Sequence, residues 1–189
     1  MNTATHAVFA ATLLARKHTP IRNWGVLAGA IAADASMFVF YGWAKLFTSM
    51  TEREIWSDAY WREPWQTFSA ISNSIPLALA AVAIAWWRKS VLIGVFAIAW
   101  LSHLALDFPV HATDAHRHFW PLTNWRFESP LSYWDSAYGA AYVGAAEALL
   151  LLGCTIILWR RFDGRWTRPA LLLNASAFLG VYLYFALAF

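Results

Sequence analysis

"VLIGVFAIAWLSHLALDFPVHATDAHRH", residues 91–118, decides how this chain is to be read. Its first part is wholly apolar, and with the residues up to Phe108 it approaches the roughly 20 residues that a helix needs to cross a bilayer core. Its second part gathers four histidines and two aspartates within residues 102–118. His103 and Asp107 are four residues apart, so on a helix they lie one above the other on a single face, where both can address one ion. Pro109 has no backbone N–H and disfavours helical geometry in Phe108, so the helix is expected to end or kink there and let the segment from His111 to His118 fold back. Neutral imidazole and carboxylate are the usual ligands of a catalytic zinc. The alternative is a hydrogen-bonded packing histidine followed by a polar loop. An ionised aspartate in or near hydrocarbon is costly unless paired, which favours a functional site.

Outward from this stretch the chain repeats the apolar theme. Further runs cover about 4–15, 24–47, 65–87, 136–159 and 169–189. Hydrophobic residues make up 60% of the chain, charged residues 13%, and thirteen are tryptophans, a composition suited to a membrane rather than to a water-soluble domain. Trp24, Trp65, Trp86, Trp87, Trp134 and Trp159 fall near run ends, as interfacial anchors do. The first run is short for a full crossing. The expected fold is therefore all-α: an integral membrane helical bundle of about five full transmembrane helices plus a short N-terminal helix, forming a single domain over residues 1–189. No internal repeat or linker divides it. Cys154 stands alone, so no disulfide or cysteine-based zinc motif can form within the chain. Residues 1–15 hold no Lys or Arg ahead of the apolar stretch, so the first helix is expected to stay rather than be cleaved as a signal.

Basic residues set the expected orientation. Arg16, Lys17 and Arg22 fill the first connection, Arg88 and Lys89 the third, and Arg160, Arg161, Arg165 and Arg168 the fifth, while the loops at about 48–64 and 109–135 are richer in acid. The positive-inside rule then places the three basic connections in the cytoplasm and both termini outside. The net charge of +3 is small, its cations lie between apolar blocks, and nothing points to nucleic acid. This topology brings His6, His103, Asp107, His111, His116 and His118 towards the outer side and leaves only His18 inside.

Two further carboxylates lie deep in apolar runs: Asp34 in "GAIAADASMF" and Glu147 in "YVGAAEALLLL", the latter flanked by small residues that let another helix approach. Neither has a Lys or Arg in a run to pair with. Each is either a ligand or a protonated residue hydrogen-bonded between helices, and His6 in "TATHAVFA" is either a ligand or a capping residue.

On these residues the chain resembles the YdjM-like membrane-bound metal-dependent hydrolases, which are similar to the zinc-dependent phospholipase C and P1 nuclease group. The resemblance rests on Thr5 and His6 before an apolar helix, on Gly29, Ala30 and Asp34, and above all on "SHLALDFPVH" (102–111) followed by "FWPLTNWRFESP" (119–130), set against the family's "SHxxxDxxTP" and "WP...WRF". Two motifs depart. The family's "HRGxTHS" has only "SAISNSIP" (69–76) as counterpart, with Asn73 where His would stand, and its "PDxD" reads "ADAS" (33–36), with Ser36 for the second acid. Either one ion remains, with His111, His116 or His118 making up lost ligands, or the chemistry has changed.

What the resemblance implies is a metal-dependent hydrolase of the bacterial inner membrane, acting at the outer face on a phosphoester or ester of a lipid-like substrate. The expected cofactor is a divalent metal, zinc, held by His103 and Asp107 with one or more of His6, Asp34 and His111. Such an ion activates water and polarises a substrate oxygen. Asp114 or Glu147 is the candidate general base, and Arg117 or Arg126 the candidate grip on a phosphate. Membrane lipid is the expected partner. Two other classes stay open: a non-enzymatic protein that binds or passes metal or haem, and a structural membrane protein whose polar residues only join helices.

Overall fold

The structure, a computed structural model, describes residues 1–188 with side chains through Leu183, so Phe189 at the end of the last expected run lies outside the described residues. Helices joined by turns and irregular loops make up the described residues, with no strand among them. The helices are α1 (Thr3–Leu14), α2 (Pro20–Ile31), α3 (Ala35–Phe47), α4 (Glu52–Ser57), α5 (Glu63–Ser72), α6 (Ile75–Trp87), α7 (Val91–Asp107), α8 (Ala140–Arg161) and α9 (Thr167–Ala188). Local chemistry explains their starts. Proline occupies the first turn of α2, α5 and α6, where its missing N–H is not needed. The Ser74 and Ser90 hydroxyls accept from the Leu77 and Ile93 amides and so cap α6 and α7. At Pro109 helix α7 tightens into a 3-10 turn, Phe108–Val110, and ends.

Among the described residues three segments are long and apolar enough to cross a membrane: Glu63–Trp87, Val91–Val110 and Ala140–Arg161. The expected run over 24–47 departs from a single straight span. It breaks at residues 32–34, and α2 and α3 meet at a bend of 70°. Taken together as one broken span they make a fourth candidate. The physical reason lies in Asp34. Its carboxylate accepts a hydrogen bond from the Thr3 hydroxyl and lies 3.7 Å from His103 Nε2. The turn delivers the carboxylate to those partners, whereas a continuous apolar helix offers it none within its own run.

The Glu63–Trp87 segment also pauses, at Asn73 and Ser74. There the Ile75 amide donates to the His118 carbonyl at 2.8 Å, and Asn73 Nδ2 donates to the Ser69 and Ala33 carbonyls. The break is thus the seat on which the loop after α7 docks. That loop is pinned at its far side by Ser129, whose amide donates to the His111 carbonyl and whose hydroxyl donates to the Pro109 carbonyl.

Small residues bring the central helices together. Ala10, Val26, Ala30, Val95 and Ala99 form a buried seam of α1, α2 and α7, the composition by which helices in a membrane approach closely. Gly29 is the tightest point: a Cβ there would stand 2.1 Å from the Phe96 carbonyl oxygen. Asn2 meets Glu147 and Thr12 meets Cys154, so α1 runs alongside α8 in the same direction. Arg161 in turn reaches the carbonyl of Thr12, and Lys17 meets Asp163, which gathers the basic connections at one end of the bundle. Met1, Asp107 and Glu147 lie at the other.

A second packing centre supports that other end. Phe40 is 1% exposed and touches the rings of Trp43, Trp56, Tyr60 and Trp65, and it holds α3 to α4. Helix α4 begins with a reciprocal capping box in which the Thr51 and Glu54 side chains each satisfy the other's backbone. Thr51→Ala is expected to cost about 1 kcal/mol locally, read as faster amide hydrogen exchange over residues 52–57 with the rest of the bundle unchanged.

Candidate metal centre

Asp107, the last residue of α7, is the hub. It is 3% exposed. Its Oδ1 lies 3.0 Å from His6 Nε2 and its Oδ2 2.9 Å from His103 Nε2. His103 sits one turn earlier on α7, whereas His6 arrives on α1, and the two imidazoles stack with centroids 3.5 Å apart and planes 7° from parallel. Three potential ligand atoms, one from each residue, lie within 4.8 Å of one another, and all three residues are buried. Two more expected ligands stand at the edge. Asp34 Oδ1 is 3.7 Å from His103 Nε2, and His111 Nε2 is 3.7 Å from Asp107 Oδ2. The Met1 ammonium also reaches Asp107 Oδ1, at 2.6 Å.

Hydrogen-bond accounting tests whether this set suits a cation. His103 Nδ1 lies 2.6 Å from the Ala30 carbonyl oxygen, which can only accept, so Nδ1 carries the proton. In the neutral ring Nε2 then presents a lone pair, and that lone pair faces a carboxylate oxygen. The contact is favourable only if a proton or a metal ion stands between the two. A backbone carbonyl that fixes one nitrogen so that the other can ligate is the usual arrangement around a metal-binding histidine. His6 Nδ1 and His111 Nε2 are buried without a hydrogen-bond partner among the described residues, so donor capacity remains. Tetrahedral zinc with bonds of roughly 2.0–2.1 Å separates its ligand atoms by about 3.3 Å. Each histidine stands 2.9–3.0 Å from its own oxygen of Asp107, a few tenths of an ångström inside that, and imidazole with carboxylate is a donor chemistry that suits a cation.

Beyond the hub, His111 links inward and outward groups. Its Nδ1 is 2.9 Å from Asp114 Oδ2, and the same oxygen accepts from Trp134 Nε1 at 2.9 Å. Burial pushes the His111 imidazole down, but the nearby Asp107 carboxylate and the hydrogen bond to Asp114 outweigh it and raise the group to about 8. For Asp114 burial pushes up, and the His111 contact outweighs it and holds the carboxyl below its ordinary range. His116 lies with its ring centroid 4.7 Å from that of His111. Burial, then the neighbouring His111 and His118, keeps it well below the ordinary imidazole range and hence neutral. Asp114→Asn should lower metal affinity about 10- to 100-fold, as loss of a partner behind a ligand does. Unchanged affinity by competition with a chelating dye would remove His111 from the ligand set.

The other candidate residues have different neighbours. Glu147 is 2% exposed and accepts from both the backbone amide and the side-chain amide of Asn2, so it ties down the start of α1, the helix that carries His6. Arg117 pairs with Glu63 through two hydrogen bonds. Arg126 donates to the Ala115 carbonyl and to Gln66 Oε1, each at 2.9 Å. The two motif departures meet at the α5–α6 break: Ser36 Oγ is 2.7 Å from Ser72 Oγ, beside Asn73. Sequence reasoning missed Thr3 and Tyr133, and it named Ala30 only as part of a motif, without its role. Thr3 holds Asp34, Ala30 orients His103, and Tyr133 lays its ring 5.1 Å from that of His111. A backbone carbonyl leaves no side-chain signal, although Thr3 in "TATH" was legible as a hydroxyl one helical turn before His6. No family model, curated protein or solved structure matches the chain.

Proposed function

We propose that the chain is a membrane-embedded metal-dependent hydrolase in which His6, His103 and Asp107 hold one divalent cation, with Asp34 and His111 as further donors. The observation that carries this reading is the facing of His103 Nε2 and Asp107 Oδ2 at 2.9 Å while Nδ1 is committed to the Ala30 carbonyl. Zinc suits a set of imidazole and carboxylate donors, and when bound it supplies Lewis acidity and an activated water. Asp114 is the better general-base candidate, since it contacts the cluster through His111 and its side chain is 20% exposed, whereas Glu147 is occupied with Asn2. Arg126 stands at the loop after α7 as the phosphate grip, Arg117 being engaged by Glu63.

The substrate class follows from placement. With the basic connections in the cytoplasm, as charge asymmetry favours, the cluster lies towards the outer face of a bacterial inner membrane. Exposed Trp125 and Trp134 flank the loop above it and suit the headgroup layer, which favours a phosphoester or ester of a lipid-like molecule. The resemblance to YdjM-like membrane hydrolases supports the same reading, because its motifs supply His6, Asp34, His103 and Asp107. The test is release of phosphate or headgroup from mixed phospholipid micelles by zinc-loaded protein. Activity that disappears in Asp107→Asn supports the proposal; stoichiometric zinc with no hydrolysis of phosphoester or ester lipids contradicts it.

A second reading rests on burial. His6 and His103 are each 1% exposed, and a closed site suits a metal held for structure, whereas a catalytic metal keeps an open position. Under that reading zinc is retained without turnover, and its removal by a chelator lowers the unfolding temperature.

A further inference from the structure

We infer that the basic end of the bundle contains a binding pocket for the phosphate of an anionic phospholipid, formed by Arg16, Lys17, Arg22 and Arg161. Those four side chains, with Leu13 and Leu14, line a cavity of about 440 Å³ between the end of α1, the start of α2 and the end of α8. Nothing in this inference depends on the metal centre at the opposite end.

Charge distribution gives the first argument. Segments 15–22, 88–90 and 160–168 carry nine of the chain's fourteen basic residues but only one of its eleven acids, Asp163. Basic residues that merely obey the positive-inside rule fan out into water. Here two of them turn inward. Arg22 Nη1 donates to the Leu14 carbonyl and Arg161 Nη1 to the Thr12 carbonyl, so the exposed carbonyls at the end of α1 fix both guanidinium groups. Their geometry is set before any ligand arrives.

Unused donor capacity gives the second. Arg22 Nε is buried without a hydrogen-bond partner, and the Arg16 guanidinium makes no ion pair among the described residues. Lys17 meets Asp163 at 3.4 Å, but that carboxylate is 78% exposed and neutralises little. The cavity is left strongly positive. Planar guanidinium forks match phosphate oxygens bidentately, and an ammonium adds a point charge.

The rim decides between a lipid phosphate and a free one. Leu13, Ile21, Trp24 and Trp166 are all exposed around this end, as suits residues bordering acyl chains and headgroups. Basic pockets between transmembrane helices on the cytoplasmic side are where anionic headgroups bind.

The experiment is native mass spectrometry of the full-length protein in detergent with equimolar phosphatidylglycerol and phosphatidylcholine. The expected result is preferential retention of phosphatidylglycerol, reduced about tenfold or more in Arg16→Gln, Lys17→Gln. Neither substitution touches the Arg22 or Arg161 caps, and an unchanged thermal melt marks the variant as folded. Arg88→Gln, Lys89→Gln removes the same charge from another connection at the same end and should leave the preference intact. Equal retention of the two lipids, or an equal loss in both double variants, would overturn the pocket in favour of a diffuse surface potential. Displacement of phosphatidylglycerol by millimolar inorganic phosphate would overturn the lipid assignment in favour of a free-phosphate site.

Discussion

His103→Ala and Asp107→Ala are each expected to abolish metal binding: elemental analysis after zinc loading should give about one ion per wild-type chain and nearly none in either variant. The size of the effect follows from the hub. Asp107 contacts both His6 and His103, so its removal leaves two buried imidazoles with no charge between them. His103 is a proposed ligand and also, through the Ala30 carbonyl, ties α7 to α2. Structural zinc binding is worth roughly 10–16 kcal/mol, and the loss of one of three ligands takes affinity below what survives gel filtration. A milder variant separates chemistry from packing. Asp107→Asn keeps the volume and accepts from one histidine, and it should still lose the ion because the charge is gone. Full zinc content in all three variants would place the metal elsewhere or show that none is specifically held.

Gly29→Ala has the next largest effect, although Gly29 touches no proposed ligand. The added Cβ would stand 2.1 Å from the Phe96 carbonyl oxygen and 2.9 Å from its Cα, and these are backbone atoms of a helix that cannot rotate away. Helices α2 and α7 must separate, at a cost of about 1–3 kcal/mol or more. That separation pulls Ala30, the next residue, away from His103 Nδ1. The expected result is a lowered unfolding temperature together with a loss of zinc. Gly25→Ala is the control. There the Cβ meets Leu92 Cδ1 at 2.6 Å, the mobile end of a side chain, and zinc content should stay near that of the wild type. A Gly29→Ala protein that melts normally and holds zinc would mean that α2 does not orient His103.

How much of this was legible in the sequence differs from residue to residue. The pairing of His103 with Asp107 could be read directly, because spacing of four residues on a helix fixes a shared face and both lie on α7. The end of α7 at Pro109 was legible for a similarly local reason. His6 and Asp34 could be named as polar residues in apolar runs, but nothing local says that α1 runs past α7. Their convergence depends on small-residue packing among α1, α2 and α7.

The bend between α2 and α3 was illegible for the opposite reason. Summed hydropathy over 24–47 treats one aspartate as a small deduction, while its partners Thr3 and His103 lie 31 and 69 residues away along the chain. The same applies to the break at Asn73, whose purpose is to seat the His118 loop. Arg117 and Glu63 are 54 residues apart, so only the fold reveals that this arginine already has a carboxylate partner. The clustering of basic residues between apolar runs was readable as a pattern of charges, and the structure brings the first and last of these connections together at one end through Arg161 and Lys17.

The most direct test of the central claim is zinc-edge X-ray absorption of the full-length protein after zinc loading. Two imidazole nitrogens at about 2.0 Å with carboxylate oxygen in the same shell, and no sulfur scatterer, are the result expected if His6, His103 and Asp107 hold the ion. A spectrum of fully hydrated zinc, or a shell without imidazole scattering, would contradict the centre and make the cluster a set of helix-joining contacts.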